Sequence, residues 1–300
     1  MTGADGSSHT RFIAPHPRLQ PYLSAYYFTA IDSLDGQPVR DWMNPEWASV
    51  RFCYAGDMLG GFVGEELRHV PAMHFVGPTS LAGPFSAMHA RIASIGFLPT
   101  GWSMFIDEPA HIWADRLDDA AQAKTLVAFA EMMEAAHQSA SLDEMADRFN
   151  AILLDALDNR PLIDGQTEDR IRAAHAALLD PEITAVAQMA DRLQLSIAQL
   201  QRLSLRIFGF PPKLLLRRQR FVRTLAVIMR DPDSNWSDAL DMHYYDQAHF
   251  NRDFRQFFKM SPREYRQHPH PIIGAASRAR MAALGDPLQA LQKPGAGNAP

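Results

Sequence analysis

Between Phe12 and about Leu98 the apolar positions fall in short runs rich in aromatic and β-branched residues: Leu23 to Ala30, Ser49 to Tyr54, Ala72 to Val76 and Ser86 to Phe97. Asp35-Gly36, Ala55-Gly56-Asp57, Gly60-Gly61 and Gly83-Pro84 separate them, a spacing that predicts an antiparallel β-barrel or sandwich. Two short helical pieces follow, near Gly101 to Ile106 and Ala110 to Trp113. From Asp118 to Asp158 the period becomes helical, with Leu126, Phe129, Met132 and Met133 on one stripe and Leu142, Met145, Phe149, Ile152, Leu153 and Leu157 on another. Ser139 to Ser141 breaks the two, and Ser141 with Glu144 forms a capping box. Such helices either form a layer on the barrel or pair between subunits. Arg160 to Gly165 reads as a linker and Asp169 to Leu179 as the opening helix of a second domain. Ile272 to Pro300, rich in Ala, Gly and Pro, predicts a mobile tail.

The last third contains a repeat. Ser196/Asp246, Leu200/Phe250, Arg202/Arg252, Phe208/Phe258, Pro212/Pro262 and Lys213/Arg263 match at a constant offset of fifty, so one supersecondary unit is used twice. Ser196 and Asp246 are each suited to cap a helix, because their side-chain oxygens accept free N–H groups of the first turn. Beyond Ser196, Leu200, Leu203 and Ile207 share one face, while Ala198, Gln201, Arg202 and Leu205 share the other. Beyond Asp246, Phe250, Phe254 and Phe257 point inward and Ala248, Asn251, Arg252 and Arg255 outward. Shorter helical stretches precede each, Ala185 to Leu193 and Trp236 to Met242, across tight linkers. A helix, a short turn and a second helix with an outward row of Arg, Gln and Asn is a helix-turn-helix pattern. Packed helical hairpins with solvated polar faces are the bland alternative. A helix from Lys213 to Arg230 would separate the two units by roughly 26 Å along its axis, of the order of the spacing between successive major-groove faces.

Two segments, "SIAQLQRLSLRIFGFPPK" and "HYYDQAHFNRDFRQFFKMSPREYR", resemble the DNA-binding domain of the AraC/XylS family of bacterial transcription regulators, over about Asp180 to Arg266. The second carries the family's aromatic turn, Asp-Gln start, Phe-x-Arg and Ser-Pro exit in order. "GFLPTGWSMFIDEPAHIWADRL" resembles, more loosely, the end of the cupin-like sensory barrel of a subgroup. Departures are visible too. Gln194 and His243 stand where the family usually has Gly, so each is expected in a left-handed conformation, and Ser204 replaces an aromatic that Phe254 keeps.

The resemblance implies an α+β chain: a β-rich cupin-like sensory domain at 1–117, a helical connector and linker at 118–164 that often dimerises, an all-α DNA-binding domain of two helix-turn-helix units at 165–268, and a disordered tail at 269–300. Base reading is expected of Gln201 and Arg202 in the first unit and of His249, Asn251 and Arg252 in the second, with Arg202 and Arg252 equally able to be structural or to clamp phosphates; Gln247 is expected at a base or a phosphate, and Ala198, Arg206, Ala248 and Arg255 complete the DNA-binding set. Arg pairs bidentately with guanine, and Gln and Asn with adenine. Arg217, Arg218, Arg220 and Arg223 are expected either at phosphates or bracing the two units. Tyr26, Trp42, Trp47, Tyr54 and Trp102 are candidate walls of a ligand pocket, or simply core. The implied partners are promoter DNA, a second copy of the chain, a small-molecule effector, and RNA polymerase if it activates.

Charge agrees with a split of labour. The chain carries a net −5, yet 181–266 holds 14 Lys and Arg against 9 Asp and Glu, and the remainder 15 against 25. A basic module on an acidic body is expected if only the module meets phosphates. The single Cys53 excludes an intramolecular disulfide and alkyl-transfer chemistry at a zinc-bound cysteine cluster, and fits a reducing cytoplasm. No cofactor is called for, and because MTGADGSSHTR has no apolar core and no stretch approaches membrane length, neither a secretory leader nor a membrane span is expected. His69, His74, His89 and His111 leave open a metal-dependent cupin-type enzyme with a tethering module, although no His-x-His pair with a following carboxylate occurs.

Overall fold

A computed structural model describes residues 8–125, 127, 129–159, 163–230, 244 and 246–295. Its strands are β1 (His9–Ile13), β2 (Leu23–Asp32), β3 (Val39–Met43), β4 (Ser49–Gly56), β5 (Leu59–Gly60), β6 (Arg68–His69), β7 (Met73–Val76), β8 (Gly83–Ala87), β9 (His89–Phe97) and β10 (Leu117–Asp119). Its helices are α1 (Pro99–Phe105), α2 (Phe129–Gln138), α3 (Leu142–Asp158), α4 (Gly165–Leu179), α5 (Val186–Arg192), α6 (Ile197–Phe208), α7 (Pro212–Arg230), α8 (Gln247–Phe258), α9 (Pro262–Gln267) and α10 (Ile273–Leu284).

The strands form a six-stranded sheet, ordered β1-β2-β9-β4-β7-β10, facing a four-stranded one, ordered β3-β8-β5-β6. All the pairings are antiparallel, as the alternating runs predict. The predicted run Ser86 to Phe97 is two strands, because the chain turns between Ala87 and His89. Gly56, at φ +72°, ends β4 against the carbonyl of His89, where a Cβ would meet that oxygen at 2.0 Å.

Period two sorts the large sheet. Tyr26 and Phe28 of β2, Val50 and Phe52 of β4, and Ala93, Ile95 and Phe97 of β9 join one core with Phe129, Met132, Met145, Phe149 and Leu153 of α2 and α3. The intervening positions, Tyr27, Ile31, Arg51, Ile92 and Ser94, face the small sheet. The apolar stripes of α2 and α3 therefore pack within one chain, against the large sheet. Ser141 caps α3, accepting from the Glu144 N–H at 3.1 Å, while the Glu144 carboxylate accepts from the N–H of Ala140 at 2.8 Å.

Two further cores join the C-terminal helices to the barrel. Trp47 and Leu98 pack with Ile171 and Leu178 of α4, Leu200 and Phe208 of α6, and Leu215 of α7. Cys53, Phe85 and Ile92 pack with Phe221 and Leu225 of α7, Phe250, Phe254 and Phe257 of α8, and Ile273 of α10. The expected tail is instead ordered over 273–292. Asp41 of β3 accepts from the N–H groups of Ile272 at 2.9 Å and Ile273 at 2.8 Å, capping α10 with an anion from a distant strand. Gln289 donates towards Ala48 and Phe97 carbonyls, and Gln219 of α7 donates to the carbonyl of Ala290 at 2.7 Å.

His74 and His175 are fully buried, and burial pushes each down to about 3. Between their ordinary value, about 6.5, and that value, only the unfolded chain binds these protons, so stability falls as pH drops through the window, at up to about 1.4 kcal/mol per histidine per pH unit. Urea titrations from pH 6.5 to 4.5 are expected to show this decline, with His175→Gln visibly shallower than the parent; an equal slope would remove His175 as a cause.

Candidate nucleic-acid interface

The reading helix of each unit starts where its capping residue predicts. Ser196 accepts from the Gln199 N–H at 3.2 Å and the Gln199 side chain returns to the Ser196 N–H at 2.8 Å, a reciprocal pair that starts α6. Asp246 accepts from the His249 N–H at 2.6 Å and starts α8. Gln194 adopts φ +52°, the left-handed turn expected of it; His243 and the expected helix Trp236 to Met242 lie outside the described residues. Gly209 and Lys259, fifty positions apart, close the two helices with φ +82° and +54°.

Both outward faces are as expected. Ala198, Arg202 and Arg206 are exposed on α6 and Gln201 is half-buried; Gln247, Ala248, Arg252 and Arg255 are exposed on α8, with His249 and Asn251 half-buried. The inward faces differ in quality. Phe254 is fully buried among Phe221, Phe250, Phe258 and Tyr265, whereas Ser204 is equally buried with a hydroxyl that makes no hydrogen bond among the described residues.

Helix α7 separates its arginines by position. Lys213, Arg217, Arg220 and Arg223 recur at helical spacing on one stripe and line, with His249 and the 183–186 segment, a cleft of about 500 Å³ between the two units. Arg217 and Arg220 also hold the buried Asp253 carboxylate, with Tyr244 donating its hydroxyl to it at 2.8 Å, so α7 is braced to α8 beneath the cleft. Arg220 donates to Nε2 of His249 at 3.1 Å. Because a guanidinium only donates, that ring nitrogen is the acceptor and the proton sits on Nδ1. Burial, and then the Arg220 charge, hold this imidazole below its ordinary value, so His249 is neutral near pH 7 and presents a donor.

Arg218 is a correction. Expected at phosphates or bracing the two units, it lies about 100° around the helix from Arg217 and is fully buried. It donates to the carbonyl of Thr79 at 2.9 Å and that of Glu46 at 3.3 Å, and its guanidinium carbon stands 3.9 Å from the ring centre of Trp47. It ties α7 to the barrel rather than to the second unit. Burial pulls it down to about 9, with Asp115 and Glu46 opposing, and it stays charged.

The candidate pocket residues are dispersed. Tyr26 points to the helical layer, its hydroxyl donating to Asn150 at 2.9 Å; Trp102 donates to the Glu108 carbonyl at 2.8 Å in the same core; Tyr54 is half-buried against that core. Trp42 packs on the rings of Tyr265 and His270, and Trp47 lies under Arg218. Tyr27, one position from Tyr26, is the tyrosine facing between the sheets. The histidines are scattered as well: His74 bonds the Pro71 carbonyl, His89 pairs with Asp32 and His69 with Asp57, and His111 is exposed. Among the described residues no group of three or more His, Cys, Asp or Glu is placed to hold a metal, and no helix is long and apolar enough to cross a membrane.

Residues 189–268 match the family model described as "Helix-turn-helix domain". The C-terminal module is an AraC-type helix-turn-helix domain. No curated protein sequence matches the chain. Among solved structures, ToxT from Vibrio cholerae superposes with TM-score 0.46 and 10% identity over 87% of this chain and 98% of that one. The same protein with a bound unsaturated fatty acid gives 0.44 and 9% over 89% and 97%. The AraC-like transcriptional activator CuxR gives 0.27 and 13% over 72% and 85%. The assignment rests on the domain match and on the geometry of α5 to α8.

Replacing Arg218 by Met is expected to destabilise the fold by about 1–3 kcal/mol, since it leaves the carbonyl of Thr79 without its donor and removes the guanidinium from over Trp47. Chemical denaturation measures the loss, and a change near zero would mean that the barrel and α7 are held without it. Ser204→Ala removes an unsatisfied buried hydroxyl and is expected to leave stability unchanged or raise it by up to about 1 kcal/mol in the same measurement.

Proposed function

We propose that this protein is a sequence-specific DNA-binding transcription regulator, whose two reading helices α6 and α8 enter successive major grooves on one side of a duplex. The observation that carries the reading is the cationic stripe of Lys213, Arg217, Arg220 and Arg223, set in a cleft between two helices that each turn a polar face to solvent. In this reading the cleft receives phosphates of the intervening backbone, and Gln201, Arg202, Asn251 and Arg252 are the residues assigned to base edges. The stripe is sequence-independent in its action; the faces carry the discrimination.

The β-rich domain is the sensor in this reading, answering a small molecule by favouring one of two arrangements of the reading heads. The cytoplasm, alongside the nucleoid, is its compartment, and RNA polymerase is a partner if the regulator activates. A homodimer would use surfaces other than the apolar faces of α2 and α3, which the barrel already covers. The metal-dependent enzyme gains no support from the placement of the histidines.

Genome-wide occupancy followed by gel-shift titration on the recovered fragments tests the function. Affinity is expected to fall steeply and log-linearly with salt, by about one unit of slope per phosphate contact. Arg202→Ala and Arg252→Ala are each expected to lose about 1–3 kcal/mol of discrimination at one position of the site. Lys213→Ala should weaken all sequences alike and reduce the salt slope by about one. Failure of the purified protein to retain any duplex at low ionic strength would sink the reading.

A further inference from the structure

The two reading helices start at matching positions and present different chemistry there. Ile197 is the first residue of α6 and is 60% exposed, and Gln247, fifty positions on, is the first residue of α8 and is exposed too. Side chains four apart are neighbours on a helix, so Ile197, Gln201 and Leu205 form one row along α6, and Gln247, Asn251 and Arg255 form the matching row along α8. The first row is apolar at both ends. The second is polar throughout.

Exposure of Ile197 has a geometric cause. Every Cα–Cβ bond of an α-helix tilts towards the N-terminus, so the side chain of the first residue projects past the helix end, where no preceding turn covers it. Ser196 and Gln199 close their reciprocal hydrogen bonds on either side of Ile197 and hold that end in place. Ala198, beside it, is exposed as well. A single exposed isoleucine is ordinary on most surfaces. Here it stands at the end of a reading helix, whose N-terminal residues are the ones that approach base edges in the major groove. An aliphatic side chain neither donates nor accepts, and the apolar group that a base edge offers it there is the 5-methyl of thymine. Glutamine at the matching position bonds bidentately to adenine instead.

Resting on the regulator reading above, we propose that Ile197 is a specificity residue that packs on the 5-methyl group of a thymine, and that the two halves of the binding site differ for this reason: thymine at the start of α6, adenine at the start of α8 through Gln247. A perfect repeat of one half-site would then satisfy one helix and not the other, so the duplex is bound in a single direction. Burial of one methyl group is worth about 0.8 kcal/mol, which is about fourfold in affinity.

Sites selected from a random duplex library by the full-length protein, resynthesised with deoxyuridine in place of one thymine at a time, test the proposal, because that exchange deletes a methyl group and keeps every hydrogen-bonding edge. At least one replacement in the half whose preference Arg202→Ala relaxes is expected to weaken the parent protein about fourfold and to change the affinity of Ile197→Ala by less than twofold. Selection repeated with Ile197→Gln should return adenine in place of that thymine. Matching thermal melts of parent and variants establish that each is folded, as an exposed position leads one to expect. Indifference of the parent protein to every such replacement, losses of the same size throughout in folded Ile197→Ala, or a sensitive thymine confined to the half relaxed by Arg252→Ala overturns it. The two readings fail separately: a parent protein that retains selected duplexes without these methyl effects removes only the role of Ile197, whereas one that retains no duplex removes the regulator reading.

Discussion

A guanidinium can leave water only where oxygens and aromatic faces replace its hydration, and Arg218 sets that condition at the centre of this molecule. Its donors meet the carbonyls of Thr79 and Glu46, its plane lies over Trp47, and the carboxylates of Asp115 and Glu46 supply countercharge. Each of these groups belongs to the barrel, whereas Arg218 belongs to the helix that joins the two reading units. The barrel and the DNA-binding domain therefore share a buried polar joint, and a shift of α7 relative to the barrel would expose or strand a charge. Such joints favour discrete arrangements over gradual ones.

The same helix organises the interface on its other side. With Arg218 turned into the barrel, the stripe from Lys213 to Arg223 is left to line the cleft between the units. Asp253 then fixes Arg217 and Arg220, bracing the second unit to α7 beneath the cleft that both residues line. The first unit is seated differently, through Phe208 and Leu200 against Trp47 and α4. The second unit relies on a cluster of phenylalanines around Phe221, with the carbonyl of Phe257 accepting from the N–H of Ala82 at 2.8 Å. Both reading heads thus report to the barrel by different routes.

Much of this was legible in the order of residues. The fifty-residue repeat, the capping residues Ser196 and Asp246 and the left-handed Gln194 all act within one turn of chain, and local forces settle them. The partition of the α7 arginines was also present in their spacing, since Arg218 alone falls off the stripe, but periodicity does not say which face a long cation can bury. Tyr26 and Tyr27 illustrate the same limit. Alternation put them on opposite sides of β2, yet nothing local says that the helices cover one side and the small sheet faces the other.

By itself, the sequence determined the elements and their polarity: strands of period two, helices of period 3.6, their caps, and two copies of one unit. Those features follow from backbone sterics and near-neighbour hydrogen bonds. Only the tertiary structure decided that α2 and α3 cover the barrel, that Arg218 is buried, and that the segment after His270 is folded on the barrel. The reason is distance along the chain. The N–H groups of Ile272 and Ile273 find their acceptor on Asp41, more than two hundred positions away, and an Ala-rich segment of weak amphipathicity acquires its order from that partner.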